Sequence, residues 1–249
     1  MSAPAETEQE DLAEGTLMSH LVELRNRLFI MFGSVFGVLM LLFPFSKPIF
    51  EIASKPLRSV LPGGQLIATG TASPIIATLK LSFYLSLMIA MPVVLYQVWA
   101  FIAPGLYKKE KSFAFPLLAS SILLFYAGLA FAYFVVFPLV FKFFAAFTPD
   151  SVSYMPDISD YVGFVMMLVL VFGLAFETPV ATVLLVWTGL TTVEKLSKAR
   201  PYVFLGAFVV GMLLTPPDVI SQIVLAIPVY CLYELGIIMA KLFRSRSVK

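Results

Sequence analysis

Three glutamates stand out in a chain that is otherwise poor in charge. Glu110 lies among three lysines, Glu23 lies four residues before Arg27, and Glu177 lies inside a long apolar run. A carboxylate can bind a guanidinium through two parallel charge-assisted hydrogen bonds, and a lysine ammonium cannot reproduce that fork. The first two glutamates therefore predict a docking surface for a basic peptide.

Each glutamate also has a purely structural interpretation. Glu110 could pair with its neighbouring lysines in a solvated loop, which contributes about 0–1 kcal/mol. Glu23 could form a surface pair with Arg27 on one helix, worth about 0.3 kcal/mol. Glu177 could be a protonated carboxyl bonded within a helix bundle, although an ionisable group inside a membrane is costly and favours a functional role. The residues themselves leave both interpretations open.

The composition identifies the elements that must position these residues. Of 249 residues, 60% are hydrophobic and 13% are charged, whereas a soluble domain carries about 25% charged residues. Several apolar runs reach the ~20 residues that span a bilayer. Because these runs are unbroken, they favour helices over the short alternating strands of a barrel. The chain is predicted to be an all-α integral membrane protein.

The apolar runs predict six transmembrane helices, at roughly 28–45, 73–101, 114–141, 161–186, 201–215 and 219–240. Spans 5 and 6 are expected to be short. Residues 1–15 are predicted to be a disordered acidic tail, 16–241 a single membrane domain that begins with an amphipathic helix, and 242–249 a basic tail. The Pro- and Gly-rich region 46–73 is predicted to be irregular, with short helical pieces at most.

The basic residues predict the orientation. Twelve of the 17 Lys and Arg residues lie in the N-terminal segment, loops 2–3 and 4–5, and the C-terminal tail. Since basic loops stay inside, both termini are predicted to be cytosolic.

Several function classes are excluded by what the sequence lacks. It has no phosphate-binding loop of the Walker type, no Cys/His cluster spaced for a metal and no nucleophile–base arrangement. A net charge of +2 is too small to indicate a nucleic-acid partner. The single Cys231 cannot form an intrachain disulfide. We therefore expect no catalytic residues, no metal and no cofactor, and a protein that is not an enzyme.

The motifs resemble one family, TatC, the membrane receptor subunit of the twin-arginine protein translocase. The resemblance covers about residues 16–240 and rests on five segments in order: His20-Leu-Val-Glu-Leu-Arg25, Tyr96-Gln-Val-Trp-Ala-Phe-Ile-Ala-Pro-Gly-Leu-Tyr-Lys-Lys-Glu110, Phe176-Glu-Thr-Pro179, Arg200-Pro-Tyr202 and Gly211-Met-Leu-Leu-Thr-Pro-Pro-Asp218.

The resemblance implies a function and a site. It implies binding of twin-arginine signal peptides through Glu23 and Glu110, with Arg25 beside them and Phe101 packing the apolar part of the signal. Interface anchoring is an alternative for Phe101. In a concave helix bundle, Glu177 would meet a polar residue of a TatA or TatB span. Folded proteins would be exported with the proton-motive force, across a bacterial inner membrane, by a homo- and hetero-oligomeric complex.

Other residues are assigned structural roles. Pro48 and Pro56 are expected to shape the first outside loop, and Asp218 to cap the start of span 6. Gly70 stands where the family pattern often has an acidic residue. The alternative functions are a proton-coupled small-solute transporter, with Glu177 as the proton carrier, and an assembly scaffold.

Overall fold

The computed structural model describes the backbone of residues 5–58, 66–102, 111–149, 155–214 and 219–247. Over these residues it contains ten α-helices and no strand: α1 Ala5–Leu42, α2 Ser46–Arg58, α3 Ser73–Ile102, α4 Lys111–Phe131, α5 Phe137–Ala146, α6 Ile158–Ala175, α7 Thr178–Trp187, α8 Val193–Lys198, α9 Arg200–Leu214 and α10 Val219–Ser247. The predicted all-α class is confirmed.

Five helical stretches in the described ranges are long and apolar enough to cross a membrane: Met18–Lys55, Ser73–Ile102, Phe115–Ala146, Ile158–Trp187 and Gln222–Leu242. A sixth apolar helix, Arg200–Leu213, is shorter. These stretches correspond to the six predicted spans. The exact count of six and the cytosolic position of both termini stay predictions.

The region after the first span is more regular than predicted. Residues 46–58 form the 13-residue helix α2, joined to α1 by a 3₁₀ turn at Phe43–Phe45. Pro44 and Pro48 lie at the start of the turn and of α2, where a missing N–H costs no hydrogen bond. The prolines thus change the type of helix and do not end it. At the other end, α1 includes residues 5–15, rich in the helix formers Ala and Glu; their disorder stays a prediction.

The third span is also interrupted without being broken. α4 passes into α5 through one π turn, Ala132–Val136, in which the Phe137 N–H donates to the carbonyl of Ala132, five residues back. Pro138 has no N–H to give to the carbonyl of Phe134, four residues back, so the helix widens locally to use the donors that remain.

Helix α6 is the centre of the main core, where it packs against α3 and α4. A second core joins α7 and α8 to α10. By contrast, α1 contacts chiefly α3, and the most apolar part of its span has no buried residue. The first span is therefore a peripheral helix whose phenylalanines face the lipid.

The last two spans differ in length. α9 has 15 residues and reaches about 22 Å, against about 30 Å of hydrocarbon. The apolar part of α10 has 21 residues, which reach about 32 Å. Span 5 is short, as expected, whereas the expectation of a short span 6 is corrected, because its apolar part alone is as long as the hydrocarbon is thick.

Candidate functional site

The polar side of the amphipathic segment of α1 faces the protein. Arg27 lies on this side and its guanidinium reaches across to the end of α3, where Nη1 donates to Oε1 of Gln97 (3.0 Å) and Nη2 donates to the carbonyl of Ala100 (3.1 Å). The leucines of the opposite side, Leu21 and Leu28, are exposed. An amphipathic helix beside a membrane body is thus turned with its apolar side to the lipid and its polar side to α3.

Glu23 is held by the same guanidinium. Arg27 donates from Nε (2.9 Å) and from Nη2 (2.6 Å), and both bonds end on Oε1 of Glu23. The i,i+4 pair that sequence reasoning weighed as an alternative therefore forms. It is part of a network between two helices and not an isolated surface pair, since the same guanidinium also binds α3.

Phe101 lies next to this network. Its ring stacks on the ring of His20, with centroids 4.3 Å apart and planes 21° from parallel. Nδ1 of His20 lies 3.9 Å from Oε2 of Glu23, beyond hydrogen-bond distance. The structure therefore places Glu23 and Phe101 near each other, through His20 and Arg27, which had not been proposed as site residues.

Arg25 points elsewhere. Its side chain is exposed, and Nη2 donates to the Asn26 side chain at 3.3 Å. Glu110 lies outside the described residues; in sequence it directly precedes Lys111, the first residue of α4. The predicted cluster of Glu23, Phe101, Arg25 and Glu110 is thus described for its first two members, with Arg25 on a different side of α1.

Glu177 lies where the helix of the fourth span is interrupted. α6 ends at Ala175 and α7 begins at Thr178, because Pro179 in the first turn of α7 cannot donate to the carbonyl four residues back. The Glu177 N–H donates instead to the carbonyl of Leu174 (3.0 Å). The residue therefore occupies a break between two half-helices, inside the membrane-spanning stretch.

The Glu177 side chain is half-buried, and its Oε1 is enclosed without a hydrogen-bond partner among the described residues. The hydroxyl of Ser121 is a polar side-chain group next to the Glu177 carboxyl. That hydroxyl accepts a hydrogen bond from Nε1 of Trp99, at 3.3 Å, and both residues are buried. A buried carboxyl oxygen without a donor is costly.

The two clusters are connected by one turn of α3. Gln97 and Ala100 bind Arg27, while Trp99 points to Ser121 and the Glu177 site. Residues 97–101 thus present one side to the Glu23 cluster and another to the interior of the helix bundle. The segment Tyr96–Glu110 that carries the longest motif begins at this turn.

The residues assigned structural roles have different outcomes. Pro48 lies in the first turn of α2, and Pro56 in its last turn, so both belong to a helix and not to an irregular loop. Asp218 lies outside the described residues, directly before α10, and its capping role stays a prediction.

Two polar clusters were missed by sequence reasoning. Arg200 donates from Nε and Nη2 to the two carboxyl oxygens of Glu234 (2.7 and 2.8 Å), and the Tyr230 hydroxyl donates to the same carboxylate at 3.0 Å. At the other end of the bundle, Asp157 accepts from the N–H and hydroxyl of Thr69 (2.8 and 2.6 Å).

No group of three His, Cys, Asp or Glu residues that could hold a metal occurs among the described residues. A wide apolar cavity of about 460 Å³ opens between α2, α3, α5 and α6, next to the π turn. Among the described residues, the arrangement thus places one carboxylate, Glu23, at an end of the bundle and one carboxyl, Glu177, within it.

The comparisons agree with this architecture. A family model described as Sec-independent protein translocase protein (TatC) matches residues 19–228. The Sec-independent protein translocase proteins TatC of Azotobacter chroococcum mcd 1 and Escherichia coli (strain K12) are each 54% identical to this chain over 232 residues, 93% of this chain and 91% and 90% of theirs. A crystal structure of the twin arginine translocase receptor TatC has a TM-score of 0.82 at 40% identity, covering 90% of this chain and 98% of that one.

Proposed function

The chain belongs to the TatC family, and from that premise we propose that it is the receptor that binds twin-arginine signal peptides at the cytosolic face of a bacterial inner membrane. Membership makes it a multi-pass membrane component of the Sec-independent translocase and a transport protein, not an enzyme. The proposal adds the ligand, the partners TatA and TatB, and the proton-motive force as the energy source for exporting folded proteins.

The cluster at the junction of α1 and α3 is the observation that carries the proposal. It places a carboxylate, Glu23, beside a stacked aromatic pair, His20 and Phe101, at one end of the bundle. A signal peptide presents arginines followed by an apolar stretch. The carboxylate suits the arginines and the aromatic surface suits the apolar stretch.

Glu110 supplies the second carboxylate in this proposal. It lies in sequence between α3, which carries Phe101, and α4. With two carboxylates, each of two neighbouring guanidinium groups can form its own charge-assisted bond. A lysine cannot reproduce the fork of an arginine on a carboxylate, and Glu110 is proposed to supply that discrimination.

Peptide binding to the purified full chain in lipid nanodiscs tests the proposal. We expect an Arg-Arg signal peptide to bind more tightly than its Lys-Lys counterpart. Glu23→Gln and Glu110→Gln should each weaken Arg-Arg binding about tenfold or more, since a hydrogen bond to a charged group contributes about 1.5–3 kcal/mol.

Glu194→Gln, on the short helix α8, is the matched control for a lost carboxylate outside the site and should bind as the parent does. Unchanged affinity in both site variants would remove the carboxylates from recognition. Equal binding of the Arg-Arg and Lys-Lys peptides to the parent chain would defeat the receptor function itself.

Glu177 is proposed to bind a polar side chain from a TatA or TatB span. Its support is the enclosed Oε1 without a partner among the described residues, at the break between α6 and α7. Replacement by Leu should abolish site-specific crosslinking of a partner helix to this break. Gln, which keeps a donor and an acceptor, should retain part of it, and signal-peptide affinity should stay unchanged in both variants.

Equal partner crosslinking in Glu177→Leu and the parent would contradict this contact. The alternative of a proton-coupled small-solute transporter gains nothing from the structure, and family membership favours the translocase.

A further inference from the structure

Arg27 already occupies part of the carboxylate to which the proposed function assigns signal recognition. Both of its bonds to Glu23 end on the same oxygen, Oε1. Resting on the proposed function, we propose that Arg27 is a positioning residue for recognition: it fixes the Glu23 carboxylate against the end of α3 and directs the other oxygen, Oε2, to the incoming guanidinium.

The number of bonds that Arg27 makes distinguishes it from a surface ion pair. All three nitrogen atoms of its guanidinium are used: Nε to Glu23, Nη1 to Gln97, and Nη2 to both Glu23 and the Ala100 carbonyl. A surface pair on one helix holds two long side chains against each other and nothing else. Arg27 instead joins α1 to a segment that lies 70 residues later in the chain at Gln97.

The burial of these groups adds to their order. The Arg27 side chain is 20% exposed and Gln97 is 8% exposed, whereas the Glu23 side chain is 36% exposed. Arg27 also donates to Oε1 of Gln97, a buried acceptor that would otherwise lack this donor. The guanidinium is therefore the inner, fixed part of the network and Glu23 is its outer, reachable part.

This geometry limits what Glu23 can offer. Because Oε1 holds two donors of Arg27, an incoming guanidinium cannot take both carboxyl oxygens in a fork. It can take Oε2, which lies 3.9 Å from Nδ1 of His20, the residue whose ring stacks on Phe101. A carboxylate with one oxygen already bonded, beside another cation, binds a single arginine less strongly than a free carboxylate does. This favours a ligand with a second arginine, which the second carboxylate of the receptor, Glu110, would bind.

The inference is tested by the ratio of Arg-Arg to Lys-Lys peptide affinity in full-length variants in nanodiscs. We expect Arg27→Gln to weaken Arg-Arg binding about tenfold, equivalent to about 1.4 kcal/mol, and to lose most of the preference. Arg27→Lys keeps the charge but cannot reach Glu23, Gln97 and Ala100 together. Its Arg-Arg affinity and its affinity ratio should therefore lie between those of the parent and of Arg27→Gln. Lys198→Gln removes a cation from α8, outside the network, and should match the parent.

A general loss of stability would lower both affinities without changing their ratio, so the ratio separates positioning from folding. If Arg27→Gln does not fold, Gln97→Met keeps the Glu23–Arg27 pair and removes one tie to α3; it should lower the ratio. An unchanged ratio in the folded variants overturns the inference, and tighter Arg-Arg binding in Arg27→Gln would identify Arg27 as a competitor. If the parent chain itself binds the Arg-Arg and Lys-Lys peptides equally, the proposed function is refuted, whatever the variants of Arg27 show.

Discussion

At the scale of single residues, the polar groups of this membrane protein bind one another across distant parts of the chain. Arg200 and Glu234 are 34 residues apart and form a two-bond pair, and Arg27 and Gln97 are 70 residues apart. Lipid supplies no hydrogen bonds, so a polar side chain near the membrane must find its partner within the protein. A local sequence window shows the unusual residue but not this partner.

Asp157 is the clearest case of a residue with a fixed local environment. It lies just before the fourth membrane stretch, caps α6 by accepting from the Ser159 N–H (2.7 Å), and accepts two further bonds from Thr69. The Thr69 bonds are the main cause that lowers the pKa of Asp157 from 3.8 to about 2. Hydrogen bonds to the carboxylate favour its charged form.

This shift predicts how Asp157 contributes to stability as a function of pH. Because its pKa is lower in the folded protein, its contribution is fully present above about 3.8 and is lost as the pH falls toward about 2. We expect the difference in melting temperature between the parent and Asp157→Asn to be constant above pH ~4 and to shrink below it. Thr69→Val should move this loss to higher pH; a difference that persists unchanged at pH ~2 would contradict the assignment.

At the scale of elements, glycines determine how closely the spans pack. A Cβ at Gly128 on α4 would lie 2.6 Å from the Phe172 carbonyl oxygen and 3.0 Å from Cα of Gly173 on α6. Gly236 on α10 similarly faces Thr182 and Pro179 on α7. Close approach at small residues is how membrane helices gain packing energy, because lipid provides no hydrophobic drive between them.

Gly128→Val is therefore predicted to force α4 and α6 apart. The obstacle is backbone, which cannot rotate away, so the cost should be about 1–3 kcal/mol of unfolding free energy. Thermal unfolding in detergent measures it. Gly163→Val is the matched control, since a Cβ there meets nothing within 4 Å, and equal melting temperatures for the two variants would contradict the packing argument.

Element length has a consequence of its own. α9 reaches about 22 Å against about 30 Å of hydrocarbon, so a bilayer that covers it must thin locally or the helix must gain cover from neighbours. We propose thinning at this edge of the bundle as the place where partner helices gather. The neighbouring α10 is long enough to span, so the effect is confined to α9.

At the scale of the whole molecule, polar contacts lie at both ends of the bundle. The Glu23 network lies at the end where α3 stops, and the Asp157–Thr69 contact lies at the start of α3 and α6. If the basic segments are cytosolic, the first is the inner end and the second is the outer end.

Cysteine accessibility tests this topology. In a Cys231→Ala background, Thr71→Cys, at an exposed position just before α3, should react with a membrane-impermeant maleimide in intact spheroplasts. Ser247→Cys at the end of α10 should react only after the membrane is permeabilised. The opposite pattern would invert the orientation, and labelling of both in intact spheroplasts would refute an even number of spans.

The membrane class and the positions of the long spans could be predicted from the residues alone. Unbroken apolar runs and isolated charges are local properties, and a bilayer constrains them strongly. Sequence reasoning missed the helix at 46–58, because a proline at the start of a helix is read locally as an interruption.

The hydrogen-bond partners of the polar side chains could be identified only in the folded protein. They are Arg27 for Glu23 and Gln97, Ser121 beside Glu177, and Arg200 for Glu234. The direction in which the amphipathic part of α1 faces was decided there as well. Such contacts join helices that are far apart in the chain, and their geometry follows from how the spans cross at residues such as Gly128 and Gly236, which no periodicity reveals.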